Sequence, residues 1–356
     1  MVPDTVSTPS FAPFRDIPVD ALRGFAIAVM VAANLVPSLL FPPPPFWLRL
    51  ISSVAAPLFI FLAGMMVALS FGRKSYGLLY FLKRGAIVTG IAAVLDLFIR
   101  GMVPFIDMDV LYLIGVSLPL AYLVLQLGPR ARMAVIAFTL FAAPVLRFAW
   151  GYAEFPVQIP FFPLPAPPLP GPDAILRGWF IDGWFPLFPW LAVSLLGAHA
   201  GSLRWKECGI LSFAQPAILP VAGTLLAAGA ALWYLFPGPL FTRYGYIELF
   251  YPPVTGFMLF VTGLILFLFI AADLLPVSGR WAGPLRAMGE CSLAIYILHT
   301  VIIEIFGRYW SPGSLPVFAA GYLLLVGGMI LAAYLLRYLR VRVRTRSVVL
   351  RMVIGG

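Results

Sequence analysis

Apolar residues fall in blocks of about twenty, the length that carries a helix across a bilayer. The blocks lie at 21–40, 49–71, 83–100, 109–127, 131–150, 184–203, 211–235, 253–274, 289–307 and 315–339. Proline, glycine or charge separates them, as in "FPPPPF" (41–46), "FGRKSYG" (71–77), "LGPRAR" (127–132) and "FPGPL" (236–240). They are too long for the alternating strands of an outer-membrane barrel. The pattern predicts an all-α, polytopic transmembrane bundle of about ten helices. Residues 1–20 form an N-terminal segment, 21–339 the membrane domain and 340–356 a basic tail. The first block is long enough to be a retained helix rather than a cleaved signal.

The polar residues test that layout. With the N-terminus in the cytosol, only Arg49, Arg100, Arg147, Arg177, Arg243 and Arg308 fall on the far side. The remaining eighteen of the 24 basic residues fall inside. Such a bias is the positive-inside pattern, so both termini are expected in the cytosol. The longest loop, 151–183, lies outside; it is Pro-rich and too apolar for a solvated linker, which suits a cap or a re-entrant segment.

Composition closes off several classes. Hydrophobic residues make up 62% of the chain and charged ones 11%, against about 25% charged in soluble domains. The net charge of +10 is explained by topology and by the tail "RYLRVRVRTRSVVLR" (337–351), which suits anionic membrane lipid, not nucleic acid. Cys208 and Cys291 form no CxxC pair, and no Cys/His spacing suits a metal, so neither a disulfide nor a metal cofactor is expected. Walker A, GxSxG, HExxH and GxGxxG patterns are absent, which weakens nucleotide-driven transport and a serine triad.

Polar groups inside apolar helices are costly, and are functional candidates for that reason. Asp20, Arg23 and Asn34 share the first helix, and Asn34 is the only asparagine in the chain. Asp96, the "DMD" at 107–109, His199, His299 and Glu304 lie in or beside later helices, and Asp182 and Glu248 on the outer side. At 1.5 Å per residue, Asn34 stands roughly 20 Å and His299 roughly 15 Å from the cytosolic end, so the two can meet near mid-membrane. His199 is expected near the cytosolic mouth, level with Asp20 and Arg23. Plainer roles stand beside these: Asp20 and Arg23 as an (i, i+3) pair anchoring the helix end, Asn34 as interhelical glue, the histidines as packing. Asp96 and Arg100, at (i, i+4), read as a structural pair.

"DALRGFAIAVMVAANL" (20–35) resembles the first-helix signature of the heparan-alpha-glucosaminide N-acetyltransferase family, a branch of the transmembrane acyltransferases. "AAPLFIFLAGMMVAL" (55–69), "DVLYLIGVSL" (109–118), "GWFPLFPWLAVSLLGAHAGSL" (183–203) and "GECSLAIYILHTVI" (289–302) resemble later blocks in the same order. The resemblance implies a multi-pass protein of the inner (cytoplasmic) membrane that moves an acyl group, typically acetyl, from cytosolic acetyl-CoA or another acyl-CoA to a glycan or lipid-linked acceptor. It implies that Arg23 grips CoA phosphates, with Asp20 orienting it and His199 nearby, and that Asn34 holds a reacting group. The family's histidine shortly after that asparagine has no counterpart in "NLVPSLLFPPPPFW" (34–47). His299 is therefore the expected base, with Tyr296, at (i, i+3) on the same face, helping to orient the reactants. A homodimer stays open, as do two other classes: a transporter for a small or lipid-like solute, and a non-catalytic family member.

Overall fold

The computed structural model describes residues 15–73, 76–153, 155–162, 168–206, 209–238, 246–275 and 279–342. Most of the N-terminal segment, residues 163–167 of the Pro-rich loop, Cys208 and the tail beyond residue 342 lie outside the described residues.

Each of the ten apolar blocks contains a helix. In chain order the helices are α1 (Ile17–Leu39), α2 (Phe46–Arg73), α3 (Leu78–Leu95), α4 (Val110–Leu125), α5 (Pro129–Trp150), α6 (Pro172–Arg177), α7 (Leu187–Arg204), α8 (Ile218–Leu235), α9 (Thr255–Leu274), α10 (Gly283–Glu290), α11 (Ser292–Phe306) and α12 (Leu315–Arg342). Among the described residues eight helices are long and apolar enough to cross a membrane unaided, and Pro172–Asp182 with α7 pass the same test only together, across a 44° bend that fits a broken span or a re-entrant loop. Helix α4 is the exception. Its sixteen residues extend about 24 Å, short of a hydrocarbon core of about 30 Å.

Three local departures from the sequence pattern matter. The block at 289–307 breaks at Cys291, so α10 ends at Glu290 and α11 starts at Ser292. The block at 211–235 becomes helical only from Ile218, after a small hairpin of β1 (Trp205–Lys206) and β2 (Gly209–Ile210). The last turn of α3 runs into a π turn, Asp96–Arg100, stopped by Gly101 in the left-handed region at φ 68°.

Helix α1 is the axis of the bundle. Asp16 caps it, accepting from the Val19 N–H at 3.3 Å, and Pro18 suits the first turn, where a missing N–H costs nothing. Its apolar body is buried from Val19 to Val36 with few gaps. Helix α10 crosses it at Gly24 and Gly289, where a Cβ on either would run into the other helix's backbone. That close crossing sets Asp20 and Arg23 against Ser292. Helices α5, α8 and α12 form the periphery, exposing residues such as Phe148, Leu235, Leu324 and Leu331. In water this surface would drive aggregation; in a bilayer it meets lipid.

The outer loop packs back on the bundle. Val103 N–H donates to the Ile159 carbonyl (2.8 Å), Phe161 N–H to Gly101 (2.7 Å), and the Trp179 indole to the Phe105 carbonyl (2.9 Å). Its C-terminal part folds into α6 and a second π turn, Gly178–Asp182.

Candidate active site

Two cavities with charged and polar groups among their mostly apolar linings lie along α1. The first, of about 360 Å³, surrounds the start of the helix and is lined by Arg15, Asp20, Arg23, Arg84, Glu290 and Ser292. Arg23 Nη2 donates to Ser292 Oγ at 2.6 Å, and its Nη1 stands 3.7 Å from Asp20. Arg15 bridges Asp20 (2.6 Å) and Glu290 (3.1 Å), and Arg337 of α12 reaches Glu290 at 3.1 Å. Three guanidinium groups, Arg15, Arg23 and Arg84, thus face one cavity whose acids are already held by cations. Such a wall suits an anion, phosphate above all.

The second cavity, of about 470 Å³, is lined by Asn34, Ser52, Arg100, Asp109, Tyr246, Glu248, Tyr296 and Glu304, with Gln158 of the outer loop over it. Eleven residues separate Arg23 from Asn34, so the two polar ends are about 16 Å apart along α1. The cavities nearly join. On α2, Ala55 and Ala56 line the second and Phe59 the first; on α4, Val110 lines the second and Leu111 the first. Phe59 and Tyr296 stack across the divide, with centroids 6.0 Å apart and planes within 17°.

The structure brings Asn34 and His299 together: Nδ2 and Nε2 are 3.1 Å apart. His299 Nδ1 lies 3.2 Å from the Ile295 carbonyl, which only accepts, so Nδ1 carries the proton and Nε2 accepts from the Asn34 amide. Tyr296 packs edge-on against the imidazole at 5.2 Å. His299 is fully buried and lines neither cavity. Both ring nitrogens are engaged, by Ile295 and Asn34, and neither faces these two cavities. Asn34 does line the cavity, with a second N–H and its carbonyl oxygen in hand.

His199 stands outside both cavities and does not join Asp20 and Arg23. Its backbone carbonyl accepts from Ser202 Oγ (2.7 Å), Ser202 accepts from Arg132 of α5 (3.0 Å), and its Nδ1 is buried without a partner among the described residues.

Sequence reasoning placed Arg100 with Asp96 alone. The fold adds Asp109, whose carboxylate is its nearest partner, and Glu304 at 3.7 Å, while Asp96 stands at 3.1 Å and accepts from the Tyr112 hydroxyl at 2.7 Å. Asp109 caps α4 and Glu304 lies on α11, so no spacing along the chain could announce the cluster. Arg84, Ser52 and Tyr246 were missed for the same reason.

Glu248, in the loop between α8 and α9, is 6% exposed, and its Oε2 has no hydrogen-bond partner among the described residues. Burial raises its carboxyl from 4.5 to about 7, against the opposing pull of the Ile247 and Glu248 N–H groups and of Arg49. Burial also pushes the neighbouring Tyr246 phenol up, so it stays protonated at neutral pH. No group of three or more His, Cys, Asp or Glu residues placed to hold a metal occurs among the described residues.

Fold and site together define a multi-pass membrane protein whose polar chemistry is enclosed between helices. Residues 15–239 match the family model described as heparan-alpha-glucosaminide N-acetyltransferase, catalytic, and the chain belongs to that family. Membership carries transferase activity in general. A search of curated proteins found no match. The matched region holds Asp20, Arg23, Asn34, Arg100 and Asp109, and ends before Glu248, Tyr296 and His299.

Proposed function

We propose that this protein transfers an acyl group, acetyl by preference, from acyl-CoA in the Arg23 cavity to an acceptor in the Asn34 cavity. The observation that carries this reading is the pair of cavities, one lined by three arginines and one of mixed polarity, on either side of the stacked Phe59 and Tyr296 rings. Arg23, Arg15 and Arg84 take the CoA phosphates, with Asp20 holding Arg23 and Arg15 in place. The pantetheine arm follows α1 toward Asn34 and sets the thioester at the divide. The Asn34 amide, fixed by His299 from behind, donates to the thioester carbonyl oxygen as charge develops there. Tyr296 borders the same point. The acceptor is a glycan or a lipid-linked group, and the arginine-rich distribution of the chain sets the donor side in the cytosol of a cell whose inner membrane holds the bundle.

The test is calorimetric binding of acetyl-CoA to the purified protein in detergent. Wild type binds, and Arg23→Ala binds about ten- to a hundredfold more weakly while keeping its unfolding temperature, the loss of one charge-assisted contact. Absence of binding by folded wild type removes the reading and leaves a solute carrier as the better account of two cavities on one axis.

A further inference from the structure

We propose that Glu248 is the catalytic base that takes the acceptor's proton, supplied by the loop between α8 and α9 and not by any spanning helix. This rests on the transferase reading above.

The loop is built to present this side chain. Ile247 and Leu249, its neighbours, are buried at 0% and 2% exposure. Both are tied to α2: Arg49 Nε donates to the Ile247 carbonyl (3.0 Å), and the Leu249 N–H donates to Ser53 Oγ (2.7 Å), which itself donates to the Arg49 carbonyl (2.7 Å). Glu248 between them lines the cavity that holds Asn34. Its Oε2 and the Ser52 Oγ on the same wall are buried and lack partners among the described residues. Two buried polar atoms without protein partners in the lining of one cavity are groups that a polar ligand can satisfy.

Other candidates fail on geometry. His299 has no free ring nitrogen facing the cavity. Asp109 and Glu304 are already ion-paired with the Arg100 guanidinium. Tyr246 and Tyr296 are phenols. The charged and titratable groups around Glu248 are Arg49 from α2, Arg100 and Asp109 in the cavity lining, Tyr246 and Tyr251 on its own loop, and Tyr296, Glu304 and Arg308. A carboxyl titrating near neutral pH is matched to proton transfer there.

The step balances without another reagent. The acceptor oxygen or nitrogen bonds to the thioester carbonyl carbon as its proton passes to Glu248. The C–S bond then breaks and its electron pair leaves with sulfur. The proton moves from Glu248 to that thiolate, giving free CoA thiol and restoring the carboxylate.

The experiment follows CoA thiol release from acetyl-CoA with glucosamine as the probe acceptor, alongside acetyl-CoA binding and unfolding temperature, for wild type, Glu248→Gln and Glu248→Asp. In wild type kcat/KM rises with pH and levels off above about 7, as the carboxylate forms. Glu248→Gln loses about 10²- to 10⁴-fold in rate and the pH rise with it, while donor binding is unchanged; Glu248→Asp recovers part of the rate. A Gln variant that turns over at the wild-type rate and keeps the pH profile overturns the assignment and leaves the transferase reading standing. Wild type that neither binds nor turns over acetyl-CoA overturns both. Infrared titration adds a readout independent of acceptor: a protonated-carboxyl band that disappears near pH 7 and is missing in Glu248→Gln supports the assignment, and its absence from wild type at pH 5 overturns it.

Discussion

Arg204 and Arg100 are both arginines held inside the bundle by carboxylates, and they do opposite things. Arg204 donates through Nε and Nη2 to Asp16 (2.6 and 3.0 Å) and through Nη1 and Nη2 to Asp273 (2.8 and 2.7 Å). Trp205 and the Phe213 N–H bind the same two acids, at 2.9 and 2.6 Å, and the rings of Phe213 and Phe269 cover the guanidinium. Its side chain is 1% exposed and lines neither cavity. Three chain segments, the start of α1 and the ends of α7 and α9, are clamped there. Arg100 has three acids around it, with one of them at 3.7 Å, and its side chain is 26% exposed toward the Asn34 cavity. The first cluster is closed and structural; the second keeps capacity for a ligand. What separates them is closure of the hydrogen bonds, not the kind of charge.

The sharpest way to break that comparison is Arg204→Ala. Removing the cation leaves two buried carboxylates facing each other, a loss of about 3–5 kcal/mol. The variant is expected to give no monodisperse peak in detergent size exclusion, and Arg204→Lys, which cannot reproduce the two-sided fork, only part of the wild-type yield. An Arg204→Ala protein that unfolds within a degree or two of wild type would show that the cluster clamps nothing. Arg100→Gln is expected to act differently. It keeps the fold, with a smaller fall in unfolding temperature, and lowers the acyl-transfer rate about 10- to 10³-fold, because Asp109 and Glu304 lose the charge that organises the cavity wall. A larger stability loss than in the Arg204 variant would put both clusters in the structural class.

The contrast also marks what could be read beforehand. Ten blocks of apolar sequence became ten helices, because bilayer-length periodicity is a local property that a single pass along the chain can see. Asn34 and His299 could be placed at one depth by counting residues, since both lie on helices running the same way. Closure could not be read. Asp16, Arg204 and Asp273 lie far apart in the chain, and only the packing of α1 against α10 and α9 decides that Arg204 is sealed while Arg23, nearby, opens on a cavity. His199 lines neither cavity for a related reason: which residues of α7 face a cavity is set by its packing on α2 and α5, and spacing along the chain does not carry that. Glu248 sat in view beside Asp182 as an outer-side carboxylate, yet its placement comes from Arg49 and Ser53, which hold its neighbours and appear in the sequence only as ordinary helix residues.

His299 tests the same distinction at a single side chain, with the smallest expected effect. It is a closed group standing behind an open one: Nδ1 is spent on Ile295, Nε2 on Asn34, and only Asn34 meets the cavity. If it positions the amide, His299→Ala frees Asn34 to rotate and lowers kcat about tenfold, while acetyl-CoA binding and the shape of the pH–rate curve stay as in wild type. A base would behave otherwise, because its loss costs about 10²- to 10⁴-fold and removes a titration from the profile. His299→Gln, which can still accept from Asn34 through its amide oxygen, should recover most of the lost rate. Recovery by Gln is the decisive observation, since glutamine can hold a hydrogen bond but cannot take a proton at neutral pH.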